Sequence, residues 1–410
     1  MNTVLIIGGG AAGLMAAAAA AAKGSKVTVF EKMHIPGKKM LITGKGRCNI
    51  TNSCDLPELI ANLPGNGRFL NSALRQFTNN DVVDFFNSNG LLTKVERGGR
   101  IFPVSDRAKD VVDTMVRVIR QKDAAILTDT KVLEILVKDH KVYGLKTVQG
   151  SFYGDKIILA AGGASYPGTG SDGSGVKLAA AAGHTITPLK PSLVPLESDH
   201  PYINELQGLS LRNVKVTLLA NDKKLFEDFG EMLFTHYGVS GPVILSMSNT
   251  AAAALAKGYE LDLVIDLKPA LSEEKLDIRI QRDFAQYSRK QLANGLKDLL
   301  PQSMILPVCD MAFVDDSKFI NQISREERKR LLHTLKHFTI PITGTRPLAE
   351  AIVTAGGVSV KEINPKTMES KLIRGLYFAG EVMDIDGYTG GFNLQAAFSS
   401  GYAAGCAASE

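Results

Sequence analysis

The sequence holds no tryptophan and only four cysteines in 410 residues. Cys48, Cys54, Cys309 and Cys406 show no zinc-type spacing. A disulfide-stapled scaffold and a structural zinc module are therefore excluded, no metal site is expected, and a reduced, cytoplasmic protein fits best. Charge is missing from residues 1–22, which raises a signal peptide or a membrane span. A basic leading region is missing too, three consecutive glycines interrupt the stretch, and alanine is only weakly apolar, so neither is expected. Short-period repeats and low-complexity tails are not evident. Strong net charge is also lacking. The 47 basic and 42 acidic residues leave +5, which permits an anionic partner without demanding one.

What is present is a globular composition, 45% hydrophobic and 22% charged. The chain is too long for one ordinary core, so two or three domains are expected. Its organising stretch comes first. Thr3 to Ile7 reads as a β-branched strand, Gly8 to Gly13 (GGGAAG) as a G-x-G-x-x-G turn, and Leu14 to Lys23 as an alanine-rich helix. Lys26 to Phe30 is a second strand, closed by Glu31 eighteen residues after Gly13. Each piece suits dinucleotide binding. Gly8 permits the turn, Gly10 lets a pyrophosphate approach the backbone, and Gly13 lets the helix pack on the sheet. The helix N-terminus offers N–H groups to phosphate, and Glu31 can accept hydrogen bonds from a ribose diol. The bland alternative is a glycine-rich turn of an ordinary α/β unit.

A long loop follows, residues 33–52, carrying Lys38, Lys39, Lys45 and Arg47 among glycines. Composition alone suggests a solvated surface loop. Its position after the ribose acid lets it fold over a cofactor, with backbone N–H groups reaching an anion or a ring edge. Residues 64–100 and 107–122 read as helices on either side of a short extended piece, Ile101 to Val104, and residues 125–149 as short strands. Ile157 to Ala160 has the continuous apolar run of a buried parallel strand. It ends in a glycine-rich turn and a helix, but not in a second complete fingerprint. A nicotinamide donor would thus have no dedicated Rossmann domain, or would not bind.

Composition shifts near Pro188 to a β-rich insertion. Within it, Thr235, His236, Tyr237 and Ser240 cluster between apolar runs, either as turn chemistry or as a substrate-facing loop. Residues 272–336 read as charged helices. The run 324–330 (SREERKR) is a solvated face first and an RNA-backbone contact second. Ala351 to Val360 reads as strand–glycine–strand and Gly375 to Ala379 as another buried strand. Glu381, Asp384, Asp386 and Gly390-Gly391 then lead into a small-residue helix over Leu394 to Cys406. An acid for ribityl hydroxyls, and a helix N-terminus where negative charge develops on reduction, describe the second half of a flavin site.

With these segments in view the chain resembles a known family. GGGAAG with Glu31, GKGRCNITN, AGGASYPGTGSDGSG, EMLFTHYGVSGP, VTAGGV, PKTMESK and GLYFAGEVMDIDGYTGGFNLQAAFSSG are similar to the bacterial BaiN/RdsA family of FAD-dependent oxidoreductases. The likeness spans the whole chain. It implies an α/β fold with a Rossmann-like FAD-binding domain of the glutathione-reductase type, built from both chain ends (1–189 and 351–410). It also implies a β-barrel-like inserted domain (190–270 and 337–350) and a small helical domain (271–336). By the family pattern Ala12, Glu31, Lys38, Lys39, Arg47, Asn49, Glu381, Asp386, Gly391 and Asn393 would contact FAD, and Val132 would do so through its backbone beside the adenine. Gly8, Gly10, Ala11, Gly13, Lys32, Gly162, Phe392 and Leu394 complete the expected cofactor set; Phe392 stands where the family often has tyrosine.

The family is chemically mixed, so the fold does not settle the substrate. Members are linked to reducing uridine to dihydrouridine in large-subunit ribosomal RNA, to reducing unsaturated bile-acid intermediates, and to oxidising aminoacetone. The leading expectation is reduction of a uridine C=C bond in ribosomal RNA. The alternative is a small-molecule flavin oxidase or an enoate- or steroid-type reductase, and a third class is a non-enzymatic flavoprotein that binds RNA or senses redox state. NADH or NADPH is one candidate donor, without a dedicated binding domain, and the sequence does not fix the donor. Such a reduction needs a hydride and a proton from an acid. Cys48 is the first candidate acid, with packing against the ring as its bland reading; His236 and Tyr166 are the others. The oligomeric state is left open.

Overall fold

The computed structural model describes residues 2–410 and separates into two compact units. The first comprises Met1–Ser192 with Leu348–Glu410, the second Leu193–Pro347.

The first unit is built on β1 (Thr3–Ile7), α1 (Ala11–Ala22), β2 (Lys26–Phe30), β3 (Ala125–Leu127), β4 (Lys156–Leu159), β5 (Leu376–Phe378) and α2 (Phe392–Ala408). The five strands form one parallel sheet in the order β5-β4-β1-β2-β3. Both chain ends therefore meet in one sheet, with β1 at its centre. Val4, Ile6, Ile157, Ile158 and Phe378 are fully buried, as a sheet covered on both faces requires.

The alanine content of α1 has a packing reason. Gly401 and Gly405 of α2 lie so close to α1 that a Cβ on either would stand 2.3 Å from the carbonyl oxygen of Ala12 or Ala16. Only small residues allow two helix backbones this near. Both helices also start earlier than their sequence patterns suggest, at Ala11 and Phe392. Their first residues sit in glycine turns that mask the periodicity.

Other local expectations change in detail. Residues 33–52 are not one open loop, because Lys38–Ile42 is helical and Thr43–Gly46 forms a tight turn. Residues 351–360 hold one strand, Val353–Val358, which carries two glycines of positive φ and pairs with Ile186–Ser192 through a bulge.

The second unit is a seven-stranded antiparallel sheet. Its first and last strands in spatial order are Phe338–Ile342 and Gly344–Thr345. One residue separates them in the chain, so the sheet must curl until its edges approach, a barrel-like arrangement. The helices of 271–336 do not form a core of their own. Leu276, Ile280, Leu331 and Leu335 join Leu263, Phe338 and Ile340 of the sheet in one buried cluster. The helical segment expected as a third domain is thus part of the second unit.

Candidate functional site

β1 delivers the chain into Gly8-Gly9-Gly10 at the carboxyl end of the sheet. Gly8 has φ +103°, and Gly13 lies against it across the first turn of α1. Gly10 is the N-cap of α1 and provides no side-chain cap. A Cβ built on Gly10 meets no atom within 4 Å, so the helix N-terminus opens onto free space. Unsatisfied N–H groups and the positive end of the helix dipole face that space.

Glu31, at the end of β2, is buried. Its Oε2 accepts the Gly9 N–H at 2.7 Å and its Oε1 the Met33 N–H at 2.8 Å. Burial raises its pKa, against those two bonds, which lower it. The carboxylate thereby ties the strand end to the glycine turn.

Lys39 and Glu381 are 342 positions apart and meet. Lys39 Nζ lies 2.8 Å from Glu381 Oε2 and donates to Ser165 Oγ at 2.8 Å. Glu381 Oε1 also accepts the Thr354 N–H at 2.7 Å. This network joins the loop after β2, the turn after β4, and both C-terminal segments. Ser165 and Thr354 were not singled out from sequence, because nothing local announces partners so distant. Lys32, expected on the cofactor, pairs with Asp172 and donates to Ser174. Burial works against ionising Asp172, yet the hydrogen bonds from Lys32 and Ser174 outweigh it and hold the pKa down at about 2.

Arg47, expected on the cofactor, is held by other protein groups. Its guanidinium pairs with Glu96 and Asp106 and stacks over the Phe102 ring at 4.1 Å. Its donors are taken up by local acids, whose sequence positions gave no hint of the pairing. Lys38, half-buried beside Lys39, has no ion pair among the described residues. Asn49 Oδ1 and, near Gly162, Ser171 Oγ are buried without a hydrogen-bond partner. Val132 is buried at the start of its strand.

From the C-terminal segment, Asp386 accepts from Ser192 Oγ at 2.7 Å and is buried. The Asn393 side chain is held by Gly387, to whose carbonyl it donates at 2.7 Å and whose N–H it accepts at 2.8 Å. Its amide N–H groups are thereby spent within the turn, on the Gly387 and Tyr388 carbonyls. Gly391, φ +101°, caps α2 without a side-chain bond, and a Cβ there would stand 2.5 Å from the Thr51 carbonyl. Phe392 is buried and Leu394 half-buried at this second helix N-terminus, which no side chain caps.

The three proposed acids differ sharply. Cys48 is completely buried in the core of the first unit, at φ +61°. Burial pushes its thiol up to about 12, against a hydrogen bond with Thr43. A thiol with neither solvent access nor appreciable acidity is a packing residue, which corrects its first role as acid. Cys48→Ala is expected to keep flavin content and turnover within about twofold while costing about 1 kcal/mol of stability; steady-state kinetics beside urea melts check both. Tyr166 is 39% exposed, in a left-handed conformation on the turn after β4. His236 belongs to the second unit, exposed on the hairpin turn between Lys223–Thr235 and Gly238–Ser240. It packs edge-on against Tyr237 at 4.7 Å, and Tyr237 in turn lies under Arg346 at 4.6 Å. Thr235 Oγ1 beside it is buried without a partner.

One arrangement imitates a catalytic triad. His184 lies 3.2 Å from Glu362 Oε2 and 3.0 Å from Ser370 Oγ. However, Ser370 is buried and its Oγ accepts the N–H groups of Leu372 and Ile373. The hydroxyl therefore donates to His184 and shapes a turn. Burial lowers the His184 pKa, against its attraction to Glu362. A depressed histidine pKa stabilises the fold fully above about 6.5 and loses that contribution as pH falls. The urea midpoint should drop on acidification from pH 7 to 5, and should drop less in His184→Gln.

A parallel sheet, a glycine turn under an open helix, an acid at the next strand end and a second helix N-terminus that no side chain caps define a flavin-dependent oxidoreductase. Buried, unpaired oxygens and the open space over Gly10 fit a bound dinucleotide. The chain belongs to the family described as HI0933-like protein Rossmann domain, which matches residues 2–407. It is 35% identical over 394 residues to a 3-dehydro-bile acid Δ(4,6)-reductase of Clostridium scindens, covering 94% of this chain and 93% of that one. It is 32% identical over 400 residues to a ribosomal RNA dihydrouridine synthase of Escherichia coli, covering 97% and 96%. The fold is shared with a 3-ketosteroid Δ1-dehydrogenase of Sterolibacterium denitrificans, at TM-score 0.54 and 12% identity over both whole chains. Among the described residues no helix is long and apolar enough to cross a membrane, and no cluster of His, Cys, Asp or Glu could hold a metal ion.

Proposed function

We propose that this FAD-dependent oxidoreductase reduces a uridine C=C bond to dihydrouridine in large-subunit ribosomal RNA. The observation that carries the reading is full-length similarity to ribosomal RNA dihydrouridine synthases, 32% for the Escherichia coli protein and 34% for that of Haemophilus influenzae. When bound, FAD supplies the hydride, with NADH or NADPH as the source of electrons. The chain's own residues would hold the cofactor and deliver a proton. The α1 N-terminus above Gly10 takes the pyrophosphate, Glu31 the ribose, and Asp386 the ribityl chain. The α2 N-terminus at Gly391 stabilises charge at the ring, with Asn49 closing the pocket. Tyr166, exposed on the turn after β4 in the unit that carries the glycine turn, is the proton donor that fits; work in the cytoplasm follows from an RNA substrate.

The test is mass-spectrometric nucleoside analysis of ribosomal RNA from cells with and without the chain. Loss of dihydrouridine at one site, restored by the purified flavoprotein and a reductant, supports the reading. An unchanged profile overturns it. The 35% identity to the bile acid reductase favours a second reading, reduction of an unsaturated steroid ketone. Reoxidation of reduced flavin by such a ketone, with ribosomal RNA unaffected, would establish that one.

A further inference from the structure

A second surface on the first unit has no part in the site above. The strands Val132–Lys138, Lys141–Thr147 and Gly150–Tyr153 form an antiparallel meander. Its edge borders a groove of about 650 Å³ whose floor includes Thr3 and Asp155. Thr3 begins β1, Asp155 precedes β4, and Arg374 at the rim precedes β5 by two residues. The groove therefore lies at the amino ends of the parallel strands, whereas the glycine turn lies at their carboxyl ends. At about 3.3 Å per residue the two are roughly 15 Å apart along β1.

The groove pairs flat rings with cations that outnumber the acids beside them. Tyr143 and Tyr153 are 44% and 69% exposed, nearly parallel at 15°, with centroids 6.4 Å apart. Neither hydroxyl makes a hydrogen bond among the described residues. Lys138, Lys141 and Arg374 line the same groove, and none of their side chains has an ion pair or hydrogen bond among the described residues. Two acids, Asp139 and Asp155, line it as well, so three cations and two carboxylates leave a net charge of +1; Asp155 also accepts the Thr3 N–H at 2.8 Å. Exposed tyrosine pairs contribute little to a core. Stacking platforms flanked by cations are the means by which proteins hold unpaired bases and their phosphates.

We propose that this groove binds single-stranded RNA, a base stacking on Tyr143 and Tyr153 while Lys138, Lys141 and Arg374 meet flanking phosphates. The choice of RNA as occupant rests on the uridine reading; the binding itself does not require the reaction. It is an anchoring surface, separate from the reduced base.

The test is fluorescence anisotropy with the FAD-loaded full-length protein and a fluorescein-labelled oligouridylate across a salt series. Tyr143→Ala with Tyr153→Ala should weaken binding at least about tenfold with an unchanged salt slope. Lys138→Gln, Lys141→Gln and Arg374→Gln together should reduce the slope of log affinity against log salt by about 2. Flavin content and melting temperature, unaltered at these exposed positions, show that the variants are folded. Wild-type protein that does not bind the probe, or variants that bind like wild type, overturn the proposal. Binding lost in the variants, with ribosomal RNA carrying no dihydrouridine, would keep the groove and sink the reaction. Dihydrouridine formed by variants that bind normally would do the reverse.

Discussion

Gly13→Ala is expected to give protein that purifies almost without flavin. A Cβ on residue 13 would stand 1.9 Å from the Gly8 carbonyl oxygen and 3.1 Å from its carbon. Those atoms are backbone and cannot swing aside. Gly8 cannot retreat either, because a substituent on it would already lie 2.5 Å from the Ala160 carbonyl at the end of β4. The turn is wedged between α1 and the neighbouring strand, so the new methyl must push the helix out of register with the turn. Overpacking of this kind costs about 1–3 kcal/mol in a core that can relax, and this one has little room. The N–H groups that face the cofactor move with the helix. Flavin absorbance per mole of purified protein should fall more than about tenfold, by the usual 1.4 kcal/mol per decade. Gly10→Ala separates cradle from scaffold. Its Cβ enters open space, so the apoprotein should melt as wild type does while FAD titration shows weakened binding. Full flavin retention in both variants would mean that this turn is not the cofactor cradle.

The contrast between these glycines shows what sequence can reveal. The strand, turn, helix, strand and acid from Thr3 to Glu31 were legible because each depends on neighbours within one supersecondary unit. The mutual grip of α1 and α2 was legible only as composition: both segments read as small-residue helices, and the reason lies in Gly401 and Gly405 facing Ala12 and Ala16. Lys39 was named as a cofactor contact, but its link to Glu381, Ser165 and Thr354 is a product of tertiary closure that no spacing rule encodes. Arg47 shows the same limit from another side. It lies in a glycine-rich loop that suits an anion, yet Glu96, Asp106 and the Phe102 ring compete for the guanidinium and hold it. Charge made residues 271–336 look independent. Their solvated faces carry that charge, while Leu276, Ile280, Leu331 and Leu335 face the sheet of the second unit. The strands Ser210–Ala220 and Lys223–Thr235 are joined by Asn221 and Asp222, both at positive φ, which are turn residues plainly visible in the sequence.

Glu31→Gln is expected to weaken FAD binding by roughly 5- to 150-fold, the range that corresponds to about 1–3 kcal/mol for one buried donor left unsatisfied. Both Glu31 oxygens face N–H donors, Gly9 on one side and Met33 on the other. Glutamine offers one oxygen and one NH₂, so in either orientation a backbone N–H must confront another donor. The isostere preserves shape and removes the acceptor, and the displaced Gly9 carries the glycine turn with it. Charge gives a second, independent readout. Burial raises the Glu31 pKa above its ordinary value of 4.5 despite the two N–H bonds. The ionised form is therefore disfavoured by folding at neutral pH. That cost disappears as pH falls through the folded-state pKa toward the unfolded one, so the Glu31 contribution to stability is largest in acid and smallest above the folded pKa. Glutamine does not titrate. In urea melts of the two apoproteins, wild type should gain on Glu31→Gln as pH is lowered from 7 toward 4.5, even though FAD titration at pH 7 favours wild type. A stability difference that stays flat with pH would mean that Glu31 is solvated. Unchanged FAD affinity would mean that the carboxylate serves the strand end alone.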